Sequence, residues 1–238
     1  MARLPRLVAP GLPHLIFHRG HNGQAVFVDD ADRLAYLQGL AECAQEARVA
    51  VHGYGLLPGE VRLLATPADE RGLAEMMQAV GRRYVRSFNL KHGRSSTPWE
   101  GRFRSTVIEP ARYFMPALLV VEAGLAAGTP FASATQPPAW TSAAHHLGLR
   151  SDPIVSEHAM FWSLGNTPFE REAGYRAWCE RGLARGEVDA IVDAATKGWA
   201  LGGADFVEQL GSATGRRTRP LPRGRPAKGR ISPVALGA

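Results

Sequence analysis

The sequence predicts an α+β fold. Four strands and two helices follow in the order strand, helix, strand, strand, helix, strand, with a helical extension and a basic tail behind them. Three observations lead there. Met77, Val80, Tyr84 and Phe88 recur at three- and four-residue spacing, the mark of an amphipathic helix. Pro58-Gly59 separates two runs of strand-forming residues and suits a tight reversal. Residues 12–20, LPHLIFHRG, alternate so that His14, Ile16 and His18 share one face and Leu15 and Phe17 the other.

Taken in order, residues 12–20 form the first strand, and Asp29 and Asp30 offer an N-cap for the helix that follows. Leu34, Leu37, Leu40, Ala41 and Ala44 make its apolar face, down to about Arg48. RVAVHGYGLL (48–57) and EVRLLAT (60–66) are the hairpin strands. A helix from about Asp69 to His92 leads to the strand at 102–109. This order is the split βαβ arrangement of a ferredoxin-like βαββαβ sandwich. Residues 111–127 read as a further helix, kinked at Pro116, where a proline costs an internal hydrogen bond. Residues 128–150 read as loop, and 151–212 as a small helical unit. From 211 onward Gly, Pro and Arg dominate, so the tail is expected to be disordered until bound. The expected divisions are 1–130, 131–212 and 213–238.

Of 28 Lys and Arg, seven lie in 216–230, where there is no acid; the remaining 21 face 22 acids. The body is thus near neutral, and the excess basicity points to an acidic polymer, nucleic acid before membrane. Cys43 and Cys179 fit reduced structural thiols, not a disulfide frame. The start, MARLPRLVAPGLPH, is broken by prolines and does not read as a signal peptide. No apolar run approaches the ~20 residues that span a bilayer. A cytoplasmic, nucleoid-associated protein is expected.

The second concentration of charge is residues 81–105, GRRYVRSFNLKHGRSSTPWEGRFRS. Arg82, Arg83, Arg86, Lys91, Arg94, Arg102 and Arg104 stand there against Glu100, with Tyr84, Phe88, Trp99 and Phe103 between them. Clustered cations with aromatics suit a phosphate backbone with loosely held bases, and Trp99 is the candidate for stacking on one. The plainer readings are a solvated basic helix and a tryptophan that plugs the core. In the tail, Arg223-Gly224-Arg225-Pro226 resembles the core of an AT-hook, whose arginines sense a narrow minor groove; a merely solubilising tail is the alternative.

Several irregular motifs resemble the REP-associated tyrosine transposases, a branch of the single-tyrosine HUH transposases. They are the opening MARLPRLVAPGLPHLIFHRGHNGQAVF, VHGYGLLPGEVRLLATP at 51–67, GRRYVRSFN with WEGRFRS at 99–105, GWALGGADF at 198–206 and RGRPAK at 223–228. The resemblance implies a ferredoxin-like catalytic domain, a divalent metal, single-stranded or hairpin DNA at palindromic element ends as substrate, and often a homodimer. In that family two histidines flanking a hydrophobic residue on a strand hold a metal on one face. A helix tyrosine attacks the phosphate, and an asparagine one turn on helps hold the metal.

Each of those positions is altered here. The family's Pro-Asn-His-hydrophobic-His reads Pro58-Gly59-Glu60-Val61-Arg62. Glu60 could ligate Mg²⁺. Arg62 offers no lone pair, and its repulsion of a dication at ~4 Å has a ceiling on the order of 8 kcal/mol at an effective dielectric of ~20. Val120 stands where the tyrosine should be and Gly124 where the asparagine should be. Tyr113 is seven residues earlier, ~10 Å along the helix axis. The expectation is a DNA-binding member of the transposase family that does not cleave by the family's route and needs no cofactor. An active enzyme with Glu60, Tyr113 and Mg²⁺ or Mn²⁺, and a non-catalytic partner of an active paralogue, are the alternatives.

Other motifs point nowhere. His14, His18, His21, His52, His92, His145 and His146 lack zinc spacing; His14 and His18 could share a metal on one strand face, but exposed or lightly buried histidines are the plainer reading. Glu75, Glu100, Glu109 and Glu122 read as scattered surface acids, and no P-loop, GxSxG or dinucleotide fingerprint occurs.

Overall fold

The computed structural model describes residues 6–123 and 137–220. The predicted order is present: β1 (His14–Arg19), α1 (Asp30–Glu46), β2 (Val49–Leu57), β3 (Glu60–Pro67), α2 (Gly72–His92) and β4 (Arg104–Val107). The four strands form one sheet in the order β2-β3-β1-β4, every neighbouring pair antiparallel. This is the ferredoxin-like arrangement. α1 starts at Asp29, whose carboxylate accepts from the Asp32 N–H while Asp32 accepts in return, so the first orphan donors of the helix are satisfied. Gly93, at φ 61°, closes α2 in the left-handed conformation that glycine adopts without strain.

The sheet is covered on both faces. Ile16, Val61, Leu63 and Ala65 pack under α1 and α2 with Tyr36, Leu40, Met76, Val80 and Tyr84. Leu15, Phe17 and Leu64 pack on the other side under α3 (Pro110–Ala123), which continues through Pro116. α3 sits so close to β2 that a Cβ at Gly55 would collide with the Val121 carbonyl, and one at Gly53 would lie 2.5 Å from Leu118. Only glycine fits under a helix at that distance.

Behind Pro137 come α4 (Ala143–His146), α5 (Ala159–Trp162), α6 (Pro168–Arg181), α7 (Arg185–Lys197) and α8 (Ala204–Thr214). Thr167 and Glu170 cap α6 reciprocally, with Pro168 in its first turn. Phe161, Tyr175, Cys179, Ile191 and Ala195 join the core around α3. The edge strand β4 is covered too: Leu201 donates its N–H to the Val107 carbonyl and accepts from the Glu109 N–H.

Two expectations need correction. Glu122 is not a surface acid: it lies fully buried between α3, α4 and α6, where its carboxylate accepts from His146 Nδ1 at 2.7 Å and from the hydroxyls of Ser142 and Tyr175. The covering helices take it out of water, and three donors compensate the charge. Nor are His14, His18, His52 and His146 exposed; all four are buried. Among the described residues, no helix is long and apolar enough to cross a membrane.

Candidate nucleic-acid interface

The antiparallel register places Arg19 opposite Glu60 and Phe17 opposite both Arg62 and Arg104. All five therefore belong to the α3 face of the sheet, since side chains opposite one another project the same way. Glu60 Oε1 accepts from Arg19 Nε at 3.1 Å and Oε2 from Arg62 Nη2 at 3.2 Å. Arg62 Nη1 donates to the Val120 carbonyl at 2.9 Å, and its guanidinium stands 5.1 Å from the centre of the Phe17 ring. Glu60, Arg62 and Val120, three positions the resemblance singles out, thus meet in space; Gly124 lies outside the described residues.

The donor set does not fit a metal. Both Glu60 oxygens are engaged by guanidinium groups, and Arg62, 9% exposed, brings a fixed positive charge instead of a lone pair. Among the described residues, no group of three or more His, Cys, Asp or Glu could hold a metal ion. Tyr113 lies two turns back on α3, half-buried, with the Arg112 guanidinium 5.4 Å from its ring centre. His14 and His18 point to the opposite, α1/α2 side with Ile16. His14 bonds the Leu12 carbonyl and accepts from the Ala9 N–H; His18 bonds the Gly101 carbonyl. Burial lowers both rings to about 4, against the raising effect of those carbonyls, so both are neutral near pH 7.

The cations of 81–105 divide into two groups. On α2, Arg83 is tied to Glu42 and Glu46 of α1, and Lys91 to Asp29 and Asp32. Arg83 and its partners are solvent-exposed, so water and salt screen those pairs, whereas one of Lys91's partners, Asp32, is buried. Arg82 and Arg86 are exposed and have no ion-pair partner among the described residues, and Arg94 stands 5.6 Å from the Phe88 ring centre. Trp99 is only 5% exposed. A bridge to Gly20 draws it inward, His18 stacks on its ring at 4.0 Å, and Tyr36 and Tyr84 close its other side. It plugs the core and has no open ring face for a base.

Arg102 and Arg104 belong to a second group, at the exposed end of β4. Arg104 donates to the Thr196 carbonyl at the end of α7. Between β4 and the C-terminal helices lies a cleft of about 420 Å³ whose lining includes Arg6, Arg102, Arg104, Lys197, Arg216 and Arg217, with no acidic residue. A second hollow of about 250 Å³ shares Arg102, Arg104 and Thr196 and reaches Arg19, with Glu100 among these cations. Phe103 and Trp199 also line the main cleft; the Arg6 guanidinium lies 3.7 Å from the first ring centre and that of Arg217 5.3 Å from the second.

Sequence reading singled out Arg102 and Arg104 but not Arg6, Lys197 or Trp199, and it assigned Arg216 and Arg217 to a tail. The available signal was Lys197-Gly198-Trp199, a cation and an aromatic around a left-handed Gly198 at φ 74° that ends α7. Arg223 and Arg225 lie outside the described residues.

No family model matches the chain, and no curated protein matches it. Among solved structures, the chain is similar to a REP-associated tyrosine transposase bound to a REP hairpin, at 12% identity and a TM-score of 0.40, over 51% of this chain and 70% of that one. It is also similar to a candidate transposase from Deinococcus radiodurans R1, at 17% identity and a TM-score of 0.34, over 49% of this chain and 93% of that one. Overlaps of this size carry no functional argument. The fold rests on the strand order, and the function on the residues of the interface.

Proposed function

We propose that this chain is a DNA-binding protein related to the single-tyrosine transposases that does not cut DNA by their metal-and-tyrosine route. The observation that carries the binding is the cleft beside β4, where six cations converge with no carboxylate among the lining residues. Fixed guanidinium groups release counterions from a phosphate backbone and give salt-dependent affinity. Arg82 and Arg86 add a second basic surface on α2. The loss of cleavage rests on the Glu60–Arg62–Val120 cluster, where Arg62 bonds both Glu60 and the Val120 carbonyl, so that a guanidinium and an aliphatic side chain hold the positions the resemblance assigns to a metal ligand and the nucleophile.

The test uses purified full-length protein, labelled hairpin oligonucleotides with single-stranded flanks, and Mg²⁺ or Mn²⁺. The expected result is a mobility shift that weakens with salt and no covalent adduct on a denaturing gel. A salt-independent shift, or none, refutes the binding. An adduct resistant to denaturation and abolished by Tyr113→Phe refutes the loss of cleavage.

A further inference from the structure

We infer that residues 152–158 form a strap over the outer edge of β2, held there through three neutral imidazoles and released when those rings take up protons. This device stands apart from the DNA-binding reading. The strap runs along the strand: Val155 pairs with Val51 in parallel, and the Ser156 N–H donates to the Val51 carbonyl at 2.7 Å. At its head, the Asp152 carboxylate accepts from the Tyr54 hydroxyl at 2.6 Å and from the Ile154 N–H at 3.0 Å. The strap thus occupies backbone groups that an uncovered edge strand would offer to another chain. Its release uncovers the β2 edge at Val51.

The hydrogen-bond partners fix the protonation of each ring, because a backbone N–H only donates and a carbonyl only accepts. The Asp152 N–H donates to His145 Nδ1 and the Met160 N–H to His158 Nδ1, each at 3.1 Å, so both rings are neutral with an acceptor at Nδ1. A proton on either Nδ1 sets donor against donor and breaks the bond. His145 has an alternative partner once charged. Its Nε2 is buried without a hydrogen bond and lies 3.8 Å from Glu157 Oε1. Charging the ring therefore exchanges the Asp152 bond for an ion pair. Between these two, His52 is 4% exposed; its Nδ1 donates to the Ser156 carbonyl at 2.6 Å and its Nε2 accepts from the Thr66 hydroxyl at 2.8 Å. His158 stacks on Phe114 at 4.3 Å and stands 4.9 Å from His52, so a charge on one ring opposes a charge on the other. The remaining titratable neighbours are His146 of α4, held on Glu122 of α3, and Arg150, which acts on the Tyr54–Asp152 pair. Burial lowers His145 and His158; at His145 the nearby His146 adds to it, against Glu157, Asp152 and Glu122. Burial takes His52 to about 4, against the Ser156 carbonyl. Opening returns the rings toward 6.5, so the closed strap is fully favoured above about pH 6.5 and loses ground as pH falls.

The experiment follows amide hydrogen exchange of the full-length protein by mass spectrometry across this window, each rate divided by the chemical rate at that pH. Strap amides are expected to exchange faster than those of β1 and β3, because the strap opens without the sheet. Between about pH 7.5 and about pH 5.5 their protection should fall by up to about 10-fold for each ring that opening frees. His145→Asn supplies an oxygen acceptor for the Asp152 N–H and does not titrate. In that variant the fall should be up to about 10-fold smaller, the share of one proton. Should the variant not fold, the wild-type series still decides, together with the titration of His145 followed by NMR. Equal strap protection at both ends of the window overturns the inference. So does exchange of strap and sheet in step, a fall as large in His145→Asn as in wild type, or a His145 ring in the folded protein that titrates at or above its ordinary 6.5.

Discussion

Replacing Arg62 by alanine tests whether its guanidinium is what joins β3 to α3. Arg62 joins β3 to α3 through the Val120 carbonyl at 2.9 Å and shares Glu60 with Arg19. Truncation strands that carbonyl and removes one of the two cations on a carboxylate whose side chain is 13% exposed. A hydrogen bond from a charged group contributes about 1.5–3 kcal/mol. The contact with the Phe17 ring adds about 0.5–2 kcal/mol. Because Arg19 stays on Glu60, the loss should not exceed the about 3–5 kcal/mol of a fully orphaned buried charge. The expectation is therefore about 3 kcal/mol, which in a chain of this size lowers the melting temperature by about 6–12 °C. Urea unfolding followed by circular dichroism would measure it, with Glu60→Gln completing a double-mutant cycle whose coupling should be about 1–3 kcal/mol. Arg62→Met keeps most of the volume and loses the charge. If Arg62→Ala costs under about 0.5 kcal/mol, or Arg62→Met unfolds like wild type, the guanidinium link is not what joins strand and helix.

Three further outcomes follow from the same packing. Unfolded histidines protonate near 6.5, whereas burial lowers His14, His18 and His52 to about 4 in the fold, so the unfolded state binds more protons between those values. Stability should be full above about pH 6.5 and fall as pH drops toward 4, measured as urea midpoints across that window. Below it, Asp32 takes over. Burial opposes its charge, but hydrogen bonds led by those from Lys91 and the Val28 N–H outweigh it and hold it at about 2; the stability it contributes is lost as pH falls from 3.8 toward 2. Glu122→Leu leaves His146, Ser142 and Tyr175 without their shared acceptor and should cost about 3–5 kcal/mol in thermal or urea unfolding. Gly55→Ala drives a methyl into the Val121 carbonyl and should cost about 1–3 kcal/mol by the same assay.

The sequence by itself determined what depends on local spacing. Alternation along 14–18 placed His14, Ile16 and His18 on one face; Pro58-Gly59 set the hairpin; and the Met77–Val80–Tyr84–Phe88 stripe set the buried side of α2. Local order also implied the ferredoxin-like topology, because a strand–helix–strand crossover followed by a hairpin leaves few ways to pair. The tertiary structure alone decided what depends on partners far along the chain. Glu122 is buried only because residues 142, 146 and 175 fold over α3, and Trp99 is a plug only because His18, Tyr36 and Tyr84 enclose it. Arg83 and Lys91 look like free cations until α1 brings Glu42, Glu46, Asp29 and Asp32 beside them. The cleft is the extreme case: Arg6, Arg102 and Arg216 are separated by about a hundred residues at each step and become one electrostatic surface only when α7 and α8 close against β4. A spacing rule reaches a few turns of chain. A site assembled across two hundred residues is written in the packing, because only packing sets which charges share the same few ångströms of space.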